Sequence, residues 1–260
     1  MKTDRYLPEG KRLGRKDNID YISSSDGLRR AMLADAILEA PAVRCDSEKN
    51  LIVELGEAVG IIPYHETALG IEEGKLREIA IISRVGKPVC FKIKGIEGGK
   101  VILSRRDAQV EAVKWFMENL VPGDVIGAKV THLEPFGAFV DIGCGVASLI
   151  GIENISVSRI SHPSDRFRVG QYIPAVVLSV DKELERVTLT HRELLGTWEE
   201  NASMFHVGET VTGIVRGVEE YGVFVELAPN LSGLAEKRDD LTEGNGVSVY
   251  IKSITPERMK

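Results

Sequence analysis

The alternation of apolar and polar residues in EPFGAFVDIG (134–143) predicts a strand with a phenylalanine on its polar face. Successive side chains of a strand point to opposite faces. Val140 and Ile142 therefore share one face, which we expect to be buried in a core. Phe139 falls on the other face beside Asp141, where the pattern predicts a polar residue. An aromatic ring in that place needs a reason other than core packing.

The same pattern recurs later in the chain at EEYGVFVELA (219–228). Here Val225 and Leu227 are predicted to point inward, and Phe224 is predicted to point outward beside Glu226. An outward phenylalanine at the same place in two similar strands indicates a shared role and not an accident of one sequence.

The repetition extends well beyond these two strands. Residues 121–143 align without gaps on residues 206–228, and each copy continues with a second apolar strand and then a strand that begins with glycine. The first of these copies ends in a further strand at 186–193, and an eroded third copy occupies 39–63 and 86–106. Five short strands in about 70 residues, separated by turn signals, predict a small closed barrel for each copy.

Helical periodicity is found between the predicted barrels. Apolar residues recur at helical spacing in 105–120, and 192–205 is expected to be a shorter helical connector. A further helix is predicted at 24–40, capped by Ser24, Ser25 or Asp26. The chain is thus predicted to be mainly β, with three tandem five-stranded barrels joined by short helices. The predicted division is a basic mobile tail (1–23), an N-terminal helix (24–40), a degenerate first barrel (37–106), a linker helix (107–120), a second barrel (121–194), a linker (195–206) and a third barrel (207–260).

The third predicted barrel is incomplete. The chain reaches Lys260 where the second barrel begins its fifth strand at Arg186. We therefore expect the last barrel to lack that strand and to expose an unpaired edge. Our hypothesis is that the chain is a trimmed form of a longer protein, and an intact mass of the native product that matches 260 residues would exclude it.

Composition places the chain among ordinary folded proteins, with 43% hydrophobic and 28% charged residues. No apolar run is long enough to span a membrane and residues 1–16 lack the apolar core of a signal peptide, so we expect a cytoplasmic protein without a membrane partner. Cys45, Cys90 and Cys144 are widely spaced and the histidines lack metal-ligand spacing, so no metal site is predicted. No motif for a nucleophile, a phosphate-binding loop or a metalloprotease is present, which argues against an enzyme, a cofactor and a small-molecule substrate.

Net charge alone does not decide whether the partner is a nucleic acid. The formal net charge is −6, whereas binding to phosphates needs cations. Residues 1–16 nevertheless carry six Lys and Arg against two acids, and residues 41–106 carry eleven against nine. Basic segments are therefore available in a chain that is acidic as a whole.

Two interpretations of the four aromatic residues remain open: core packing, which is usual for phenylalanine, or exposure to a ligand. The residues are Phe136, Phe139, Tyr221 and Phe224. Since other side chains already occupy the inner face, core packing accounts for at most one residue of each pair. Gly137 and Gly222 follow the first ring of each pair and would let the backbone kink, so that both rings reach one exposed patch. Such a patch can stack unpaired bases, each worth roughly 1–3 kcal/mol.

The second copy resembles an S1 RNA-binding domain in PGDVIGAKVTHLEPFGAFVDIG, GVASLIGIENIS, HPSDRFRVGQ and VLSVDKELERVTLTHRE. The chain as a whole is similar to a short bacterial relative of ribosomal protein S1 over residues 36–260, strongly in the second copy, well in the third and weakly in the first. The resemblance implies OB-fold barrels that bind single-stranded RNA across their second and third strands. It also implies that the ring pairs Phe136–Phe139 and Tyr221–Phe224 stack on bases.

The resemblance further implies an aspartate at the end of the fourth strand and a basic residue at the start of the fifth. The second copy matches with Asp181 and Arg186, whereas the third copy offers Thr255 and Lys260. Besides Arg186 and Lys260, the basic residues expected to meet backbone phosphates are Lys129 and Arg216.

Two departures from the family pattern modify these expectations. A third-strand histidine common in the family is replaced by Gly151 in the second copy and by Glu236 in the third, so the affinity of each domain should be modest. The first copy has Lys49 and Ile52 at the ring positions and Pro63 at the histidine position. It is either a phosphate-contacting patch or a domain that docks on a protein, with docking favoured because its rings are missing. The basic residues of that patch are Lys87, Lys92, Lys94 and Lys100.

These observations lead to a predicted function and to a rival hypothesis. The prediction is a non-catalytic protein that binds single-stranded RNA (mRNA) and acts in translation at the small ribosomal subunit, with the first barrel docking on proteins of that subunit. The rival is an adaptor whose barrels dock ribosomal or RNA-polymerase proteins instead of RNA. The acidic net charge, the missing histidines and the eroded first barrel favour the rival.

Overall fold

The computed structural model describes residues 4–56, 58–74 and 76–258. The first unit is a closed barrel in the order β1-β2-β3-β5-β4. Its fifth strand closes the barrel by pairing in parallel with the third and antiparallel with the fourth. The five strands are β1 (Leu38–Cys45), β2 (Leu51–Leu55), β3 (Ala58–Ile62), β4 (Pro88–Glu97) and β5 (Lys100–Ser104).

The second unit repeats this topology. It is closed in the order β10-β8-β7-β6-β9, so that its last strand again joins the third and fourth strands of the unit. The five strands are β6 (Val125–Glu134), β7 (Gly137–Asp141), β8 (Ala147–Gly151), β9 (Tyr172–Asp181) and β10 (Arg186–Thr190). Two barrels with one strand order confirm the predicted tandem of OB-type folds.

The third unit contains four strands within the described residues, paired in the order β13-β12-β11-β14. They are β11 (Thr210–Glu219), β12 (Gly222–Ala228), β13 (Leu231–Ala235) and β14 (Gly246–Tyr250). This arrangement confirms the prediction that the last barrel lacks its fifth strand. Its fully buried core is correspondingly small and is formed by Val215, Val223 and Val225.

Five α-helices connect or flank these units in the described chain: α1 (Lys16–Ile22), α2 (Ser25–Leu33), α3 (Ile79–Ile82), α4 (Arg105–Asn119) and α5 (Trp198–Ala202). The Ser104 side chain caps α4 by accepting a hydrogen bond from the Asp107 amide. Helix α4 then buries Ala108, Ala112 and Phe116, which are among the apolar residues that recur at helical spacing in 105–120. None of the described helices is long and apolar enough to cross a membrane.

The predicted helix at 24–40 is too long at its C-terminal end. Helix α2 begins after its cap Ser24, as one of the candidates predicted, but it ends at Leu33. Asp35 then adopts a left-handed conformation with φ 49°, which terminates a helix. From Leu38 onward the same apolar run pairs with β4 as a strand. Tertiary pairing therefore overrides the helical pattern at this end.

Residues 4–22 of the predicted basic mobile tail (1–23) pack against the rest of the protein, whereas residues 1–3 lie outside the described residues. Residues 4–15, which we call the strap, pack between the first two units, and α1 continues from them. Tyr6 is buried against Trp115 and Phe116 of α4, with ring centroids 5.5 and 5.9 Å away. The basic residues were visible in the sequence, whereas the contacts that hold the strap were not.

The strap is anchored by a buried carboxylate, Glu9, which is 3% exposed. Its two oxygens accept hydrogen bonds from Nε and Nη2 of the buried Arg105 at 2.7 and 3.1 Å, and Oε1 also accepts the Cys90 amide at 3.1 Å. The Glu9 amide donates to Asp141 at 2.7 Å. One residue thus joins the first unit, α4 and the second unit. The neighbouring Gly10 and Arg12 amides donate to a second buried carboxylate, Glu39.

Replacement of Glu9 by glutamine should destabilise the fold by about 3 kcal/mol, because it leaves the Arg105 guanidinium buried without its counter-charge. Urea unfolding followed by circular dichroism measures this. Glu54→Gln is the matched control, since Glu54 is exposed on β2 and should change stability by less than about 0.5 kcal/mol. Equal stabilities of the two variants would contradict the role given to Glu9.

Candidate nucleic-acid interface

The second unit carries an exposed pair of rings at the start of β7. Val140 and Ile142 are buried in the barrel, as the alternation predicts, and Phe139 is half-exposed on the outer face. Phe136, which precedes the strand, is 56% exposed. The two rings meet edge to face, with centroids 6.0 Å apart and an interplanar angle of 89°.

The third unit repeats this geometry at the start of β12. Tyr221 is 69% exposed, Phe224 is half-exposed, and their centroids lie 6.1 Å apart at 88°. Gly222 between them has φ +155°, and a Cβ at this position would overlap the Ala235 carbonyl oxygen of β13. Glycine is therefore needed where the strand enters the sheet beside the exposed ring.

A further ring, His132, belongs to the surface of the second unit. It lies opposite Phe139 in the β6–β7 pairing, after a bulge in β6, and stacks on it with centroids 6.4 Å apart and 30° between planes. Its Nε2 lies 2.7 Å from the Glu134 carboxylate. In the sequence, the histidines were considered only as metal ligands, so the place of His132 on this surface was missed. The bulge that brings it to the outer face leaves no recognisable signal in the sequence, and the equivalent position in the third unit is Gly217.

The outer face of the second barrel continues from the rings as a row of paired residues. Phe139 lies opposite Leu149 of β8, which lies beside Thr188 of β10. Thr188 in turn lies opposite Ser179 of β9, and their hydroxyl oxygens are 2.6 Å apart. Rings at one end and hydroxyl groups at the other thus share a surface of the barrel.

Asp181 and Arg186 are brought together, but not beside the ring pair. They lie opposite each other at the end of the β9–β10 hairpin, and both are exposed. The Asp181 carboxylate accepts hydrogen bonds from the Glu183 and Leu184 amides and so shapes the turn. The strand register sets Arg186 level with Ala147, at the opposite end of β8 from the ring pair.

Two of the predicted phosphate contacts are already engaged within the protein. Lys129 donates to the Glu9 carbonyl oxygen at 2.8 Å and lies 5.3 Å from the centroid of the Tyr172 ring. Arg216 forms ion pairs with Glu226 at 2.5 Å and with Asp165 at 3.3 Å. Both cations therefore already have partners within the protein, which charge alone does not show, and their contact with phosphates stays a prediction. Lys260, a third predicted contact, lies outside the described residues.

The basic patch predicted in the first unit is divided. Lys92 is paired with Asp35 and Glu111, and Lys94 is paired with Glu66 and Asp107. The other two predicted members, Lys87 and Lys100, are exposed. At the ring positions of this unit, Ile52 is buried and Lys49 forms an ion pair with Glu78. The outer surface of the first unit therefore carries fewer free cations than its composition suggests.

Asp141 lies on the outer face of β7, as predicted, but the strap covers it and leaves it 4% exposed. Burial and the neighbouring Glu9 carboxylate raise the pKa of Asp141 to about 7. Hydrogen bonds from the Glu9 and Gly143 amides and the charge of Arg105 act in the opposite direction but do not cancel this rise.

Among the described residues, no three His, Cys, Asp or Glu side chains are grouped so that they could hold a metal ion.

Comparison with known proteins places this geometry in a family. Residues 120–192 match the family model of the S1 RNA binding domain. The chain is 32% identical over 236 residues to the small ribosomal subunit protein bS1 of Chlamydia muridarum, covering 79% of this chain and 41% of that protein. It is 31% identical over 241 residues to bS1 of Staphylococcus haemolyticus, covering 90% of this chain and 59% of that protein.

Among solved structures, GSP13 from Bacillus subtilis is similar with 28% sequence identity and a TM-score of 0.28, over 29% of this chain and 58% of that one. The chain spans about half the length of the curated relatives it matches, 41% and 59% of the two bS1 proteins. Tandem five-stranded barrels, one of which matches the S1 domain, define an S1-domain protein of the OB-fold class. The chain therefore contains an S1 RNA-binding domain, and over most of its own length it is similar to the small ribosomal subunit protein bS1.

The stability of the protein should fall as pH rises from 5.5 to 8. The folded state holds a proton on Asp141 that the unfolded chain, with a pKa near 3.8, has already lost, so ionisation near pH 7 removes about 2 kcal/mol. The lowered pKa of Glu9 acts only below about pH 4.5 and does not oppose this trend. Urea unfolding at pH 5.5 and at pH 8 measures this loss of stability.

Asp141→Asn should flatten this pH dependence, whereas Asp239→Asn, at an exposed position of the third unit, should leave it unchanged. The comparison between the two pH values is made within each variant, so any constant cost of the substitution cancels. A wild-type slope that persists in Asp141→Asn would refute the assignment.

Proposed function

We propose that this chain is a non-catalytic protein that binds single-stranded RNA on the ring pairs of its second and third units and acts in translation at the small ribosomal subunit. The observation that carries the proposal is the recurrence of one exposed edge-to-face ring pair, with centroid separations of 6.0 and 6.1 Å, at equivalent places in two units. The S1 domain match and the bS1 relatives support it. We further propose mRNA as the RNA and the cytoplasm as the location.

The chemistry of these pairs suits unpaired bases. An edge-to-face contact leaves ring faces open to solvent, and a base can cover such a face by stacking. Each stacked base is worth roughly 1–3 kcal/mol and any base qualifies, so sequence preference should be slight. Two linked sites of this kind reinforce each other through effective concentration.

Phosphate contacts make a smaller contribution in this proposal. Arg186 is exposed on the second unit and stays a candidate, whereas Lys129 and Arg216 are already engaged within the protein. Each phosphate contact to a single strand lowers the logarithm of the binding constant by about 0.7 per tenfold rise in salt. Because two of the predicted cations already have partners within the protein, stacking is the main source of affinity in this proposal.

His132 is proposed as a third stacking ring of the second unit. The family histidine on the third strand is absent, since Gly151 occupies its place in β8. His132 instead approaches Phe139 from β6 and extends the aromatic surface in the direction away from β8. The second unit should therefore bind RNA more tightly than the third, which has Gly217 in this position.

A second candidate function is retained for the first unit alone. Its ring positions hold Lys49 and Ile52, one of them paired and the other buried, so it offers no stacking surface of the kind seen in the other units. We propose that this unit docks on a protein of the small ribosomal subunit. The broader adaptor rival, in which no unit binds RNA, loses support because two units keep their exposed rings.

Removal of all four rings should abolish RNA binding. We expect Phe136→Ala/Phe139→Ala/Tyr221→Ala/Phe224→Ala to bind labelled poly-uridine at least about 100-fold more weakly than wild type, since two or more stacked bases are lost. Fluorescence anisotropy at low salt measures the dissociation constants. Tyr250→Ala is the matched control, because Tyr250 is a 60% exposed ring on β14 outside the proposed surface. Equal binding by wild type and the fourfold variant would reject the RNA proposal and favour the adaptor.

Loss of the His132 ring alone should have a smaller and local effect. We expect His132→Ala to weaken poly-uridine binding about fivefold, the equivalent of one weak stacking contact. The control is His206→Ala, which removes an exposed histidine that also lies beside a glutamate but belongs to the connector before the third unit. If the two substitutions weaken binding equally, His132 has no special place in the surface.

A further inference from the structure

The second and third units are joined by a buried polar contact surface, which we call the joint. On the second unit it is formed by the connection between β8 and β9, and on the third by the end of β12 and the turn into β13. Side chains of both sides are largely withdrawn from solvent. Buried polar groups of this kind need partners of fixed geometry, so a joint built from them favours one arrangement of the two units.

Glu226 is the centre of the joint and is 7% exposed. One of its carboxylate oxygens lies 2.5 Å from Nη2 of Arg166 in the second unit, and the other lies 2.5 Å from Nε of Arg216 in its own unit. Asp165 of the second unit lies 3.3 Å from Nη1 of Arg216. Two cations and two anions thus alternate across the joint, and each charge faces an opposite one.

A second set of contacts holds the turn after β12. Ser156 Oγ donates to the Pro229 carbonyl oxygen at 2.5 Å, and the Ser158 amide donates to the same oxygen at 3.2 Å. The Val157 amide donates to Asn230 Oδ1 at 3.2 Å. Backbone groups on both sides take part, so these contacts fix the orientation of the third unit as well as its attachment.

The joint is connected at short range to both ring pairs. Glu226 lies two residues after Phe224 on the same face of β12, because side chains alternate along a strand. On the second unit, the Ile152 amide donates to the Phe136 carbonyl oxygen at 3.0 Å, and the chain reaches Ser156 four residues later. The groups that hold the joint are therefore extensions of the strands and turns that hold the rings.

We propose that Glu226 is a positioning residue that locks the third unit on the second, so that the two ring pairs act as one RNA site of fixed spacing. A flexible linker would let the two units search for bases independently. A locked pair has already lost that freedom before RNA arrives, and it therefore binds a strand that spans both units more tightly. This inference rests on the proposed function, but the locking itself can be tested without RNA.

The RNA-free test is ¹⁵N relaxation of the full chain. In wild type the second and third units should share one rotational correlation time. In Glu226→Gln the Arg166 and Arg216 guanidiniums lose their common partner, and the two units should show separate, shorter correlation times. Glu243→Gln, the same charge change at an exposed position of the third unit, should behave as wild type. Independent tumbling of the two units in wild type would overturn the proposal.

The RNA test compares a uridine hexamer, which fits one OB-type unit, with a 24-mer that spans two. Glu226→Gln should weaken binding of the 24-mer about tenfold and leave the hexamer unchanged. An equal effect on both lengths, or none on either, would overturn the positioning role. If wild type binds neither RNA, the proposed function fails, and the relaxation experiment alone then decides whether the joint is locked.

A second variant guards against unfolding of the small third unit by the Glu226 substitution. Ser156→Ala/Ser158→Ala removes hydroxyl groups of the joint from the second unit only, outside the core of the third. It should also separate the two correlation times and weaken the 24-mer relative to the hexamer. Retention of one correlation time in this variant and in a folded Glu226→Gln would contradict the proposal.

Discussion

The filled interior of the barrels is the constraint on which the rest of the structure depends. In the second unit Val140, Ile142 and their neighbours occupy the inner face of β7 and are buried in the core. Phe139 must then lie on the outer face, and the glycine after Phe136 keeps the two rings side by side at the strand entry. The third unit meets the same constraint with a much smaller core and arrives at the same ring geometry. The exposed rings are thus a consequence of core packing and strand alternation, and they form the outer surface that we propose to stack bases.

The same strand position carries a buried carboxylate in both the second and the third unit. Asp141 of β7 and Glu226 of β12 lie two residues beyond the second ring of their units, and both are buried carboxylates. Asp141 receives the strap through the Glu9 amide, whereas Glu226 receives Arg166 from the preceding unit. The outer face of the strand is thereby divided into a ring end and an acidic end. The ring end stays open, and the acidic end is covered by the protein itself.

Strand alternation, internal repetition and turn signals were sufficient to predict the barrels, the outward rings and the missing last strand, because these features depend on residues close together in the chain. The strap could not be predicted in this way. Its anchor Glu9 pairs with Arg105, and residues so far apart in sequence give no local signal. The same reason explains why Lys129 and Arg216 looked available: charge counts show cations but not the carbonyl and carboxylate groups that fold back on them. His132 was missed because a bulge, not the residue pattern, brings it to Phe139.

Photo-crosslinking tests the central claim most directly. The full chain is irradiated with a 4-thiouridine RNA of about 24 nucleotides, long enough for two OB-type units, and the modified residues are located by mass spectrometry. We predict crosslinks at Phe136, Phe139, Tyr221 and Phe224 and their immediate neighbours. Crosslinks confined to the first unit, or to basic residues distant from both ring pairs, would contradict it.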